Sequence, residues 1–200
     1  MRIFLAGATG VIGRRLLPVL LERGHEVTAL TRQPDEVARL RALGAATVLG
    51  DVLDRDAVLR AMRSAVPEVV MHQLTDLRDQ DQPGDVPATE STPLDLAASG
   101  RRLATVPGVS NFVHVDDAAQ AAAAALDWPP GAVNVCDDRP AAGREWVPAF
   151  CRAVGAPATP VPAREAERNR WARGASNAYA RKDLSWRPAY PSWRAGFATL

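Results

Sequence analysis

Apolar and polar residues along the first 75 positions alternate between two periods. Arg2–Ala8 is a short apolar run rich in β-formers, read as a buried strand. Residues 11–23 then place Val11, Ile12, Leu16, Leu17, Leu20 and Leu21 on one helical stripe, closed by Gly24. A second strand is expected over His25–Thr31 and a second helix over Pro34–Leu43, with proline at its start and Gly44 just past its end. Ala46–Gly50 reads as a third strand, Asp54–Ser64 as a helix capped by Asp54, and Glu68–Leu74 as a fourth strand. Strands separated by helices of about ten residues imply βαβ units and a parallel sheet. Right-handed crossovers then put helices on both of its faces.

The period is lost between Asp76 and Pro93, a polar, proline-containing stretch expected to be loop. Beyond it, Phe112–Val115 and Val133–Val135 read as short strands. Between them, Asp116 or Asp117 is expected to cap an alanine-rich helix ending near Asp127, stopped by Trp128-Pro129-Pro130-Gly131. Arg144–Val154 is an amphipathic helix with Trp146, Val147, Phe150, Cys151 and Val154 on one face, and Pro148 suits it only within the first turn. Ala163–Trp171 reads as an exposed helix, and Ser176 as the cap of a last helix to about Trp186, before an irregular aromatic tail.

Composition narrows the class without naming a function. Hydrophobic residues make up 47% and charged residues 24% of the 200, which fits a globular chain and excludes a disordered tail, a collagen or a coiled coil. The balance of 24 basic and 23 acidic residues offers no field for nucleic acid or an acidic membrane. The N-terminal apolar run is too short to span a bilayer or act as a leader, so a cytoplasmic protein with Cys136 and Cys151 reduced is the expectation.

The sharpest motif is Gly7-Ala8-Thr9-Gly10-Val11-Ile12-Gly13, set between a strand and a helix. A dinucleotide site needs glycine at these three places: for the tight turn, for backbone approach to the pyrophosphate, and for close helix–strand packing. The helix start then offers free N–H groups and a positive dipole end to the phosphates, with Thr9, Val11 and Ile12 in the same turn. No G-K-[ST] follows, which disfavours a nucleoside-triphosphatase loop. At the end of the second strand, Leu30-Thr31-Arg32 lacks the carboxylate that bonds a ribose 2′-OH. Arg32 instead suits a 2′-phosphate, which favours NADP, with NAD the alternative cofactor. Asp51, beside Val52, is placed to accept from the adenine amino group or simply to make a turn, and Leu74 ends the fourth strand near the cofactor.

These residues resemble the NAD(P)-dependent epimerase/dehydratase family of extended and atypical short-chain dehydrogenase/reductases. The likeness rests on G-A-T-G-V-I-G, on G-D-V-L-D after the third strand and on V-V-M-H-Q-L around the fourth. F-V-H-V-D-D-A-A (112–119), V-N-V-C-D-D (133–138) and S-N-A-Y-A-R-K-D-L-S-W-R-P (176–188) extend it through the second half. The resemblance implies a doubly wound Rossmann core over 1–127, abbreviated at 76–111, and a small α-rich substrate lobe over 128–200 packed on it. It also implies hydride transfer on a small polar substrate such as a nucleotide sugar or a related carbonyl compound.

The family's general acid/base pair is missing. Tyr179 is followed at +4 by Asp183 and Tyr190 by Arg194, while Lys182 has Ala178 four places before it. No Tyr-x-x-x-Lys exists, and between Leu74 and Phe112 only Leu103–Val106 has β character, so an internal deletion is the simplest account. T-E-S-T-P-L-D (89–95) resembles the loop that precedes that tyrosine. No catalytic residue is therefore assigned. A non-catalytic NADP-binding sensor and a degenerate chain are the alternatives. His25, His72 and His114 lack metal-ligand spacing, with His72 expected as a packed imidazole. Trp171, Trp186 and Trp193 are expected to pack the C-terminal lobe.

Overall fold

The computed structural model describes residues 1–74, 108–157 and 174–200. The chain divides into two compact units, Met1–Ser91 and Thr92–Leu200.

In the first unit, β1 (Arg2–Ala6), β2 (Glu26–Thr31), β3 (Ala46–Leu49) and β4 (Val69–His72) alternate with α1 (Val11–Glu22), α2 (Glu36–Ala42) and α3 (Arg55–Ala65). The strands form one parallel sheet in the order β3-β2-β1-β4. That is half of a doubly wound dinucleotide-binding fold. Burial explains it: Ile3, Phe4 and Leu5 are at most 2% exposed, and α1 lays Leu16, Leu17 and Leu20 against the sheet at 0%. On another side Phe4, Leu30 and Ala61 pack with Val48, Val58 and Met62. Asp54 caps α3 as expected, its Oδ1 accepting from the N–H groups of Asp56 and Ala57 at 3.0 Å each.

The second unit departs from the sequence reading in several places. Its strands are β5 (Val109–Ser110) and β6 (Ala141–Ala142), an antiparallel pair. Phe112–Val115 and Val133–Val135 are not strands. Phe112 accepts from the Asp137 N–H at 2.6 Å, while Val133 and Val135 pack on the Ala121–Ala180–Trp186 cluster. In Val133 and Val135 the β-branched side chains serve this packing, not a ladder.

Helix α4 (Val115–Ala124) is capped by His114, whose Nδ1 accepts from the Asp116 N–H at 3.3 Å, and not by Asp116 or Asp117. A single turn, Ala125–Asp127, follows it. In α5 (Gly143–Ala153) Pro148 is the sixth residue, beyond the first turn, so its ring removes the bond that the Arg144 carbonyl would accept. Ser176 lies before α6 (Ala178–Lys182), whose cap is Asn177, and that helix ends at Lys182 rather than near Trp186. The expected irregular tail holds α7 (Trp193–Phe197), capped by the Ser192 hydroxyl. Trp186 and Trp193 are buried, as expected. The readings at 76–93, Leu103–Val106 and Ala163–Trp171 lie outside the described residues.

Candidate functional site

Gly7 follows β1 with φ +93°, a conformation that side chains rarely adopt. Its carbonyl accepts from the Gly10 N–H at 3.0 Å, closing the turn that carries the chain into α1. A Cβ on Gly7 would sit 2.9 Å from the Gln73 carbonyl and 3.3 Å from Leu74 Cδ2, so the turn lies directly against the end of β4. At Gly13 a Cβ would fall 2.0 Å from the Gly7 carbonyl oxygen and 2.8 Å from Ala8 Cα. The third glycine thus lets α1 start in contact with the turn.

Gly10 differs. Its Cβ would meet only the Gly7 oxygen, at 3.4 Å, and the residue is exposed. A side chain there would project into open space beside the helix start. Gly10 is the N-cap of α1, makes no side-chain cap, and no acidic residue occupies the first turn. The intrahelical bonds begin with the Arg14 N–H on the Gly10 carbonyl at 2.9 Å, leaving the N–H groups of Val11, Ile12 and Gly13 directed outward. Helices α3, α4 and α7 use Asp54, His114 and Ser192 on this task. An uncapped, glycine-lined helix start is what a pyrophosphate fits.

Arg32 is exposed just past β2. Asp51 is exposed, and its Oδ1 already accepts from the Leu53 N–H at 2.9 Å, so one carboxylate oxygen serves a turn. Val52 is 37% exposed, and Leu74 is half-buried beside the glycine turn.

Sequence reading passes over Arg14. Its Nε donates to the Thr9 carbonyl at 2.8 Å and its Nη2 to Glu36 Oε1 at 3.3 Å, while Arg39 holds the other Glu36 oxygen. The glycine turn and the start of α2 are thereby joined through one carboxylate. The basic residue immediately after Gly13 was the available signal, but its partner lies 22 residues on.

Away from the glycine turn, the polar residues weighed in the sequence mostly do structural work. Asp117 is 3% exposed, and its two oxygens accept from the Ala189 and Tyr190 N–H groups at 2.7 and 2.9 Å. His114 stacks on Tyr190 with centroids 3.7 Å apart. His72 is exposed, not packed. Cys136 and Cys151 are buried and form no disulfide, and burial raises the pKa of Cys136. An open basic hollow of about 610 Å³ is lined by Arg181, Lys182 and Arg187, with Asn177 and Arg181 tied to Asp138 at 2.7 Å each.

The sheet order and glycine turn define a Rossmann-type dinucleotide-binding protein. The sequence profile of a family described as NAD(P)H-binding matches residues 7–128. A 3-diazoavenalumate denitrifying reductase from a Streptomyces species is 31% identical, with 98% of this chain and 99% of that one covered. The chain belongs to this NAD(P)H-binding family. Among solved structures, the fold is shared with a UDP-glucose 4-epimerase from Thermus thermophilus, crystallised with NAD, at TM-score 0.68 and 18% identity over 99% of this chain and 97% of that one. The enzyme WbmG of Bordetella bronchiseptica, solved with NAD and UDP, gives TM-score 0.70 and 16% identity over 99% and 93%.

The alignment with the Streptomyces reductase runs to 304 positions against 200 residues here. Both ends match, so about one hundred of the relative's positions fall opposite interior gaps in this chain. Among the described residues no helix is long and apolar enough to cross a membrane.

Proposed function

We propose that the protein binds NADP(H) at the Gly7–Gly13 turn and acts as a reductase of a small electrophile. The observation that carries this reading is the uncapped start of α1, where Gly10 leaves open space and three outward N–H groups. Gly7, Thr9, Gly10, Val11, Ile12 and Gly13 would hold the pyrophosphate, Arg32 the 2′-phosphate, and Asp51, Val52 and Leu74 the adenine and nicotinamide surroundings. NADP is preferred over NAD because Arg32 stands where a ribose-binding carboxylate would, and Glu36, at the start of α2, is already engaged by Arg14 and Arg39. In this reading residues 1–127 carry the cofactor and 128–200 the substrate lobe, a functional division distinct from the compact units. The family profile, which ends at residue 128, supports it.

The substrate is argued from what the chain lacks. Reducing a carbonyl, in a nucleotide sugar or elsewhere, requires a proton on oxygen as well as a hydride, and no Tyr-x-x-x-Lys supplies it. When bound, NADPH supplies a hydride, which at the ring carbon of an arenediazonium displaces dinitrogen and leaves the arene, with no proton taken up. The Streptomyces relative, named for a diazo substrate, supports that acceptor class. For this chain's own residues the task then reduces to binding and orientation. Two buried cysteines outside any disulfide suit the cytoplasm as its compartment.

Fluorescence titration with NADPH and NADH tests the cofactor assignment. Saturable NADPH binding is expected, and Arg32→Ala should weaken NADPH at least tenfold while leaving NADH near its original affinity. Equal loss for both refutes the phosphate role; no binding of either sinks the reading. A second reading, a non-catalytic NADP-binding module, is favoured by the interior shortfall of about one hundred positions. NADPH oxidation matched by dinitrogen release from a simple arenediazonium separates the two.

A further inference from the structure

Arg14 holds two successive carbonyls of the glycine turn. Its backbone N–H donates to the Gly10 carbonyl at 2.9 Å, and its side-chain Nε donates to the Thr9 carbonyl at 2.8 Å. The peptide between Thr9 and Gly10 is thereby bound at both ends, because the Gly10 N–H donates to the Gly7 carbonyl at 3.0 Å. Sterics alone hold that peptide weakly. Gly10 is exposed, a Cβ there would meet only the Gly7 oxygen, and glycine accepts either sign of φ.

The guanidinium is itself braced. Its Nη2 donates to Glu36 Oε1 at 3.3 Å, and Arg39 occupies the other Glu36 oxygen. With Nε on the turn and Nη2 on the start of α2, the planar fork is fixed at two points on different elements. A lysine ammonium carries the same charge on a flexible stem, but it has no such fork to span both acceptors.

The orientation of this peptide matters to an anion. Each peptide unit carries a dipole of about 3.5 D with its N–H end positive. Turned outward, the Thr9 carbonyl would set its negative end beside the N–H groups of Val11, Ile12 and Gly13, which have no partner within the helix. Held on Arg14, it adds nothing negative to that face.

We propose that Arg14 is a positioning residue for the dinucleotide: it fixes the Thr9–Gly10 peptide so that the turn offers the pyrophosphate N–H groups and no carbonyl. The inference rests on the cofactor reading and deepens it. NADPH and NADH share the pyrophosphate, so Arg14 sets affinity for both and leaves the choice between them to Arg32. Simple charge attraction to phosphate is a different role, and Arg14→Lys would preserve it. The Arg14 side chain is 37% exposed, so its substitution leaves the buried face of α1, at Leu16, Leu17 and Leu20, untouched.

The experiment titrates the full chain and its Arg14→Lys and Arg14→Met variants with NADPH and NADH by nucleotide fluorescence. It also follows the Gly10 amide resonance of each in the absence of nucleotide. Both variants should weaken both cofactors at least tenfold, with the ratio between the two cofactors held within about twofold. The Gly10 amide proton should shift and exchange faster with solvent in both, because its bond to Gly7 loosens with the peptide. That resonance reads the turn without any ligand. Arg14→Lys binding as tightly as the parent chain overturns the proposal, since charge then suffices. A loss confined to NADPH overturns it as well, because that places Arg14 on the 2′-phosphate. So does a Gly10 resonance that neither variant moves. Failure of the parent chain to bind either nucleotide is a separate result, which sinks the cofactor reading and this role with it.

Discussion

The second and third glycines of the motif face opposite constraints, and substitution separates them. A Cβ at Gly13 meets backbone at 2.0 Å and 2.8 Å, neither of which is the far end of a flexible side chain. Gly13→Ala must therefore push α1 away from the turn, at a cost of about 2 kcal/mol or more, comparable to severe overpacking. A Cβ at Gly10 meets one atom at 3.4 Å. Gly10→Ala should hold stability within about 0.5 kcal/mol yet weaken NADPH at least tenfold, because the methyl occupies the phosphate's approach. Thermal melting beside nucleotide titration reads both effects. A Gly10→Ala variant that binds NADPH normally would show that phosphates do not approach there. At this scale the sequence was informative, since glycine chemistry is local. What it left open is which glycine serves the fold and which the ligand, because that depends on what each absent side chain would touch.

Among the elements, those of the first unit were legible almost to the residue. Their signals are short-range: β1 is a continuous apolar run and α1 a stripe of period 3.6, Gly24 has φ +77°, and Asp54 caps within three residues of itself. In the second unit the signals compete with distant partners. The expected capping carboxylate of Asp117 is drawn instead to the Ala189 and Tyr190 N–H groups, 72 and 73 residues away. The cap then falls to His114, one residue before the helix. Nothing in a local window around 112–119 reveals a partner so far along the chain. The same geometry predicts that Asp117 carries more stability than a helix cap does. Asp117→Ala strands two backbone donors and should cost about 3 kcal/mol, against about 1 kcal/mol for Asp54→Ala. Urea unfolding of the two variants gives the comparison. Equal losses would mean that Asp117 is only a first-turn acid.

At the scale of the whole molecule, the division into Met1–Ser91 and Thr92–Leu200 bears on how a ligand's stabilisation spreads. The first unit owns a core around Ile3, Leu5, Leu16, Leu17 and Leu20, and the second owns one around Ala121, Ala180 and Trp186. Units with separate cores can open separately, and a ligand protects only the opening that destroys its site. NADPH at one hundred times its dissociation constant stabilises the bound state by about 2.7 kcal/mol, a slowing of exchange by about one hundredfold. Amides of β1, α1 and β2 that exchange through opening of the first unit should slow by that factor. Amides of α4 and α5 should be unchanged. Hydrogen exchange followed residue by residue distinguishes the outcomes. Equal slowing in both units would mean that they open together, as one cooperative body. No slowing in α1 would remove the dinucleotide from the glycine turn.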